Sequence, residues 1–153
     1  MNIALVILVM VVCPALCVAS EAAMSHHAVS IFALAAKWFV FWLIGIRQFT
    51  AGVRQALQPG FTAREIFKMQ SAESFPIVRE VGFGNLSMGT LGICSLYLPG
   101  WILPAALVGG LYYGLSGLMH VMREGKNAME QTVTISDAFA FLVLMVVVVK
   151  SWV

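Results

Sequence analysis

Lys37, Arg47, Arg54, Glu80, Asn85, His120 and Asp137 carry most of the chemistry open to this otherwise apolar chain. Ionisable side chains at membrane depth are costly to bury and persist where they find a partner, water or a task. A histidine beside a carboxylate can relay protons, because imidazole titrates near neutral pH without further tuning. Glu80 and His120 would then exchange protons or bind a polar headgroup. The plainer reading is interfacial: polar side chains at helix ends meet headgroups, and Glu80 and Asp137 near helix N-termini suit the helix dipole. Which reading applies depends on the elements that hold these residues.

Hydrophobic residues make up 61 % of the 153 positions, charged ones 10 %, and mean hydropathy is +0.93. A soluble domain of this size cannot hide so much apolar surface, so the solvent is lipid. The net charge of +2 is small and dispersed, which excludes a nucleic-acid partner. Apolar stretches occupy residues 3–18, 28–46, 81–98, 101–121 and 135–153. About 20 helical residues cross the hydrocarbon core, so the last four qualify. The fold class expected is all-α: one polytopic transmembrane bundle over residues 1–153, with a four-helix core plus an N-terminal helix. The first stretch, interrupted by Pro14, is a retained helix or a signal cleaved near Val18-Ala19-Ser20; a basic segment before it is missing.

Basic residues orient the spans. Arg47, Arg54, Arg64, Lys68 and Arg79 lie in the 47–80 connection, and Arg123 and Lys126 in the 122–136 connection. Both are cytoplasmic by the positive-inside rule, giving an inner-membrane protein with its N-terminus in and C-terminus out. Arg47, Glu80, His120 and Asp137 then share one depth, with Asn85 a turn deeper and Arg54 and Gln55 covering them.

Small residues suggest how the helices pack. Ala106, Gly110, Gly114 and Gly117 fall within an arc of about 80° on one helix face. Gly82, Asn85, Gly89 and Gly92 share one side of the third stretch, while Glu80, Gly84, Ser87, Leu91 and Cys94 share the other. Small or polar residues on both sides predict a central helix. In the 47–80 connection, Arg47, Arg54 and Gln58 oppose Phe49, Val53 and Leu57, which predicts an amphipathic cytoplasmic extension near the membrane surface. Pro59-Gly60 ends it, Thr62-Ala63-Arg64-Glu65 has capping-box spacing for a second short helix, and Pro76 fits the first turn of the next span.

Lys37 lies well inside the second stretch, between two and three turns before Arg47, where it snorkels, pairs within the bundle or serves a substrate or ion. Met24, His26 and His27 are too few and too poorly spaced to define a metal site, and Cys13 and Cys17 share a helix face across Pro14. The three cysteines, all in apolar segments, build no disulfide framework. No metal and no cofactor is expected.

The strings WFVFWLIGIRQFTAGVRQALQPGFTAREIF from Trp38, REVGFGNLSMGTLGICSL, GLYYGLSGLMHV and SDAFAFLVL resemble an uncharacterised family of small prokaryotic membrane proteins, loosely similar to the DoxX-like four-helix proteins. The resemblance covers residues 38 to 149, leaves the first helix outside, and implies a compact bundle without an established activity. The expected role is binding or passing a small polar or lipid-like ligand, or supporting a membrane complex. The alternative is a redox or quinone-linked enzyme subunit using Glu80 and His120, with Trp101, Tyr112 and Tyr113 at the quinone. The expected partners are the lipid bilayer and a second copy or another membrane protein.

Overall fold

The computed structural model describes residues 3–26 and 28–152, so His27, and with it the Met24/His26/His27 cluster as a whole, lies outside the described residues. The fold is all-α, with no strand among those residues. Helix α1 spans Ile3–Met24 and α2 spans Ile31–Leu57. Helices α3 (Phe75–Cys94), α4 (Ile102–Met122) and α5 (Ala128–Lys150) follow. Among the described residues, four helical segments are long and apolar enough to cross a membrane: α1, α2, Pro99–Met122 and α5. They are a different four from those expected, because α1 joins the set and α3 does not.

Helix α1 passes Pro14 without breaking and runs on to Met24, beyond the expected end at Val18. A proline removes one backbone donor and crowds the carbonyl four residues before it. The wide π turn at Leu8–Val12, just before Pro14, opens the helix where that crowding would fall. Met10 and Ala22 are buried against the rest of the chain.

Helix α2 opens on Ser30, whose hydroxyl oxygen accepts from the Ala33 amide at 3.1 Å. It then continues for 27 residues. The amphipathic run after Arg47 is the continuation of this helix, as expected. Its small face, Gly45, Phe49 and Gly52, packs on α3, where the expected partner was the headgroup layer. Halfway along, a π turn at Phe41–Ile46 leaves the Leu43 carbonyl to accept from the Tyr113 hydroxyl at 2.7 Å.

Pro59 opens a short helical segment, Pro59–Phe61, continued by a wide turn at Thr62–Ile66. Thr62 is already inside that segment and caps nothing, so the capping-box expectation fails. Pro76 sits in the first turn of α3.

Helix α3 runs antiparallel to α2. A Cβ on Gly92 would meet the Gly45 backbone, one on Gly89 the Phe49 backbone at 2.5 Å, and one on Gly82 the Ala56 amide at 2.9 Å. Glycines there let the two backbones touch. The opposite side of α3 is bare: Glu80, Gly84 and Ser87 are exposed, and a Cβ on Gly84 would meet nothing within 4 Å. Helix α3 is thus peripheral, and the central helix is α2, which touches each of the other four. The core is built by Val40, Leu43 and Ile44 of α2, Ala105, Ala106 and Tyr113 of α4, and Ala140, Leu144 and Val148 of α5. Along the α4–α5 contact, Gly110 faces Leu144 and Met145, Gly114 faces Phe141, and Gly117 faces Asp137.

Candidate functional site

Four helices place polar side chains around one cavity of about 400 Å³. Helix α2 supplies Arg47 and Arg54 from the side turned away from its glycine face, and Gln48 and Gln55 from the flank between that side and α3. Helix α3 supplies Asn85. Tyr112, Ser116 and His120, one turn apart on α4, form a second wall with Tyr113. Met129, Val133 and Asp137, also one turn apart, give the α5 wall. Phe61, Thr62, Ile66 and Phe67 of the connection close one end, and Leu5 of α1 reaches it.

Arg47 is the anchor. Its Nη2 donates to Asp137 Oδ1 at 2.6 Å and to Ser136 Oγ at 2.8 Å, and its guanidinium lies 4.6 Å from the Tyr113 ring centroid. Asp137 is buried, so this ion pair ties α2 to α5 where each charge would otherwise lie unpaired in the interior. Asn85 Nδ2 donates to Gln55 Oε1 at 2.6 Å, joining α3 to α2. Gln48 Nε2 and Asn85 Oδ1 are buried with no partner among the described residues. Buried polar atoms are seldom left this way without water or a ligand to satisfy them.

A second cluster adjoins the cavity at His120. The imidazole Nδ1 lies 3.9 Å from Glu130 Oε1, which also accepts from Arg123 Nη1 at 3.2 Å. The same Arg123 nitrogen donates to the Ile66 carbonyl at 2.7 Å, and Asn127 Nδ2 reaches the Glu65 carbonyl at 3.5 Å. The two basic connections therefore meet at one end of the bundle. Glu130 is fully buried and its Oε2 has no partner among the described residues.

Of the seven residues singled out from the sequence, Arg47, Arg54, Asn85, His120 and Asp137 line the cavity. Glu80 does not. It precedes Asn85 by five positions, about 140° around the helix, and it is exposed. No Glu80–His120 pair forms, and the redox alternative loses its carboxylate. Trp101 also lies apart, in the turn before α4, and lines no wall with Tyr112 and Tyr113. Lys37 is elsewhere, paired within the bundle: Nζ donates to both Glu21 oxygens at 2.7 and 2.8 Å, and Trp38 Nε1 donates to Glu21 Oε2 at 2.6 Å. That assembly joins α1 to α2.

Gln48, Glu130, Arg123 and Glu21 carry the site and its supports without having been singled out. For Glu130 a signal existed. Asn127-Ala128-Met129-Glu130 has N-cap spacing, and the Asn127 side chain does accept from the Glu130 amide at 2.8 Å. Starting the last span at 135 left that helical turn in a loop.

Apolar helices long enough to cross a bilayer, folded around a polar cavity, define a multi-pass α-helical membrane protein. Residues 1–152 match the family of unknown function DUF6790, and the chain belongs to that family. The match takes in the first helix, which the resemblance over 38 to 149 had left outside. Comparison with curated proteins and with solved structures returns no match.

Proposed function

We propose that this protein binds a small amphiphile in the cavity between α2, α4 and α5. The carrying observation is a space of about 400 Å³ with Arg47, Gln48 and Asn85 on its polar side and Phe61, Ile66 and Met129 on its apolar side. Ligand sites of roughly 300–1,000 Å³ are typically apolar with a few placed polar groups. The unpartnered Gln48 and Asn85 amide atoms fit a site that a ligand or water completes. A prokaryotic inner membrane suits the resemblance described for the chain. A cytoplasmic N-terminus is supported by the basic residues of the two connections, Arg54, Arg64, Arg79, Arg123 and Lys126, which meet where Arg123 donates to the Ile66 carbonyl. On that orientation the cavity lies towards the cytoplasmic side. A second copy or another membrane protein covering the bare side of α3 belongs to the same reading.

The test is purification with native lipids, then mass spectrometry of the small molecules retained, with Ala51→Trp filling the cavity. The expected result is a retained amphiphile that falls by about tenfold in Ala51→Trp, the change for roughly 1.4 kcal/mol of binding. Equal retention in both proteins, or none in either, overturns the proposal.

A further inference from the structure

The polar wall of the cavity is unbalanced in charge. Arg47 and Arg54 line it against one carboxylate, Asp137, and Asp137 Oδ1 is already taken by Arg47. Arg54 has no carboxylate within ion-pairing distance among the described residues. Its guanidinium lies over the Phe61 ring instead, 3.6 Å from the centroid. An arginine held by an aromatic face keeps its planar fork of N–H donors free to meet an anion edge-on.

The hydrogen-bond inventory leans the same way. The Thr50 hydroxyl donates to the backbone of its own helix, and the Tyr113 hydroxyl donates to the Leu43 carbonyl. Gln48 is 2 % exposed, and its Nε2 is a donor without a partner among the described residues. Asn85 Oδ1, an acceptor in the same condition, matches a hydroxyl on the same ligand. Arg54 is exposed at the edge of the cavity, so water meets its fork when the site is empty and an anionic head can replace that water. An oxyanion accepts from several N–H groups at once, and charge-assisted bonds are the strong ones.

We infer that the head bound in this cavity is an oxyanion, a phosphate or carboxylate carrying a hydroxyl, with Arg54 as its principal cationic contact. Arg47 holds the adjoining wall through Asp137, and the Gln48 amide adds a donor. This rests on the ligand-binding reading above. The same head chemistry is present in an anionic lipid and in a soluble phosphate ester.

The experiment is native mass spectrometry of the intact protein in neutral detergent, offered phosphatidylglycerol or phosphatidylcholine of identical acyl chains. Wild type, Arg54→Gln, Arg79→Gln and Ala51→Trp are compared. Arg79 is exposed on α3 and lies outside the cavity wall, so it reports general attraction of anionic lipid to a basic surface. Wild type and Arg79→Gln are expected to retain phosphatidylglycerol over phosphatidylcholine by about tenfold, and Arg54→Gln to lose that preference. Displacement of the lipid by glycerol phosphate supports a soluble oxyanion as the source, and retention against it supports the lipid headgroup. Equal retention of the two lipids by wild type, an unchanged preference in Arg54→Gln, or an equal loss in Arg79→Gln overturns the inference. If both lipids are retained alike and Ala51→Trp lowers both, the cavity binds amphiphiles without reading charge, and only the oxyanion assignment falls. If no lipid and no anion is retained, the ligand-binding reading falls with it.

Discussion

Towards α3, helix α2 presents Gly45, Phe49 and Gly52, and the facing glycines of α3 bring the two backbones into contact. Towards α4 and α5 the same helix presents Arg47 and Arg54, with Gln48 on the flank, and leaves a cavity of about 400 Å³. Both faces are made within a dozen residues of one helix. The first has no room for a methyl group. The second holds two guanidinium groups and a buried amide without filling the space. In lipid, helices gain little from hiding apolar side chains from one another, so close backbone packing and satisfied polar groups do that work. Here the two means are assigned to opposite sides of one helix, and the tight side gives the open side a fixed wall.

The largest effect is expected where a charge on the open side loses its partner. Asp137→Ala leaves the largely buried Arg47 guanidinium beside Tyr113 with the Ser136 hydroxyl as its remaining side-chain acceptor among the described residues. Removing one member of a buried ion pair costs about 3–5 kcal/mol. Reversible unfolding in mixed micelles would read it as a loss of that size, with Asp137→Asn losing less because an acceptor remains for Nη2. A cost below about 1 kcal/mol, the range of an exposed pair, would show that Arg47 is solvated through the cavity. The open face would then be a wet one.

Next comes the tight side. Gly89→Ala places a Cβ 2.5 Å from the Phe49 amide nitrogen, and Gly92→Ala sets one against the Gly45 backbone. Neither neighbour is the movable end of a side chain, so the helices must separate. Overpacking of this kind costs about 1–3 kcal/mol. The same unfolding measurement checks it, and ligand retention tests the coupling: separation of α2 from α3 should also carry Asn85 away from Gln55. Stability within about 0.5 kcal/mol of wild type for both variants would mean that the seam is looser than backbone contact.

The contrast between the two sides of α2 was only partly legible in the sequence. Long apolar runs identify helices because few other structures satisfy the backbone in lipid. Charge alternation along the loops then brings Arg47, His120 and Asp137 to one depth, and those three side chains do line one cavity. What hydropathy cannot carry is the identity of a neighbour. The run Arg47–Leu57 has the same amphipathic pattern whether its small face meets headgroups or the glycines of α3. Glu80 shows a different gap. Depth alone places it with His120, whereas helical phase turns it about 140° from Asn85 and out of the cavity. Lys37 needed a partner from α1, and while α1 stayed ambiguous Glu21 had no reason to be chosen.

The smallest effect is expected on the bare side of α3, and it sharpens the comparison most cheaply. Gly84 is two positions from Gly82, so its Cβ would point away from α2, where nothing lies within 4 Å. Alanine is the better helix former by about 1 kcal/mol in a helix interior, so Gly84→Ala should be neutral or gain up to that amount, measured beside Gly92→Ala. The two substitutions add the same methyl group to the same helix and differ only in what faces it. If Gly84→Ala instead destabilises as much as Gly92→Ala, a neighbour of the assembled protein occupies that side. Dilution then separates the cases: a second copy makes the penalty depend on protein concentration, because a dimer's stability is tied to it by mass action. A penalty independent of concentration would place the crowding within the single chain and move α3 from the edge of the bundle to its interior.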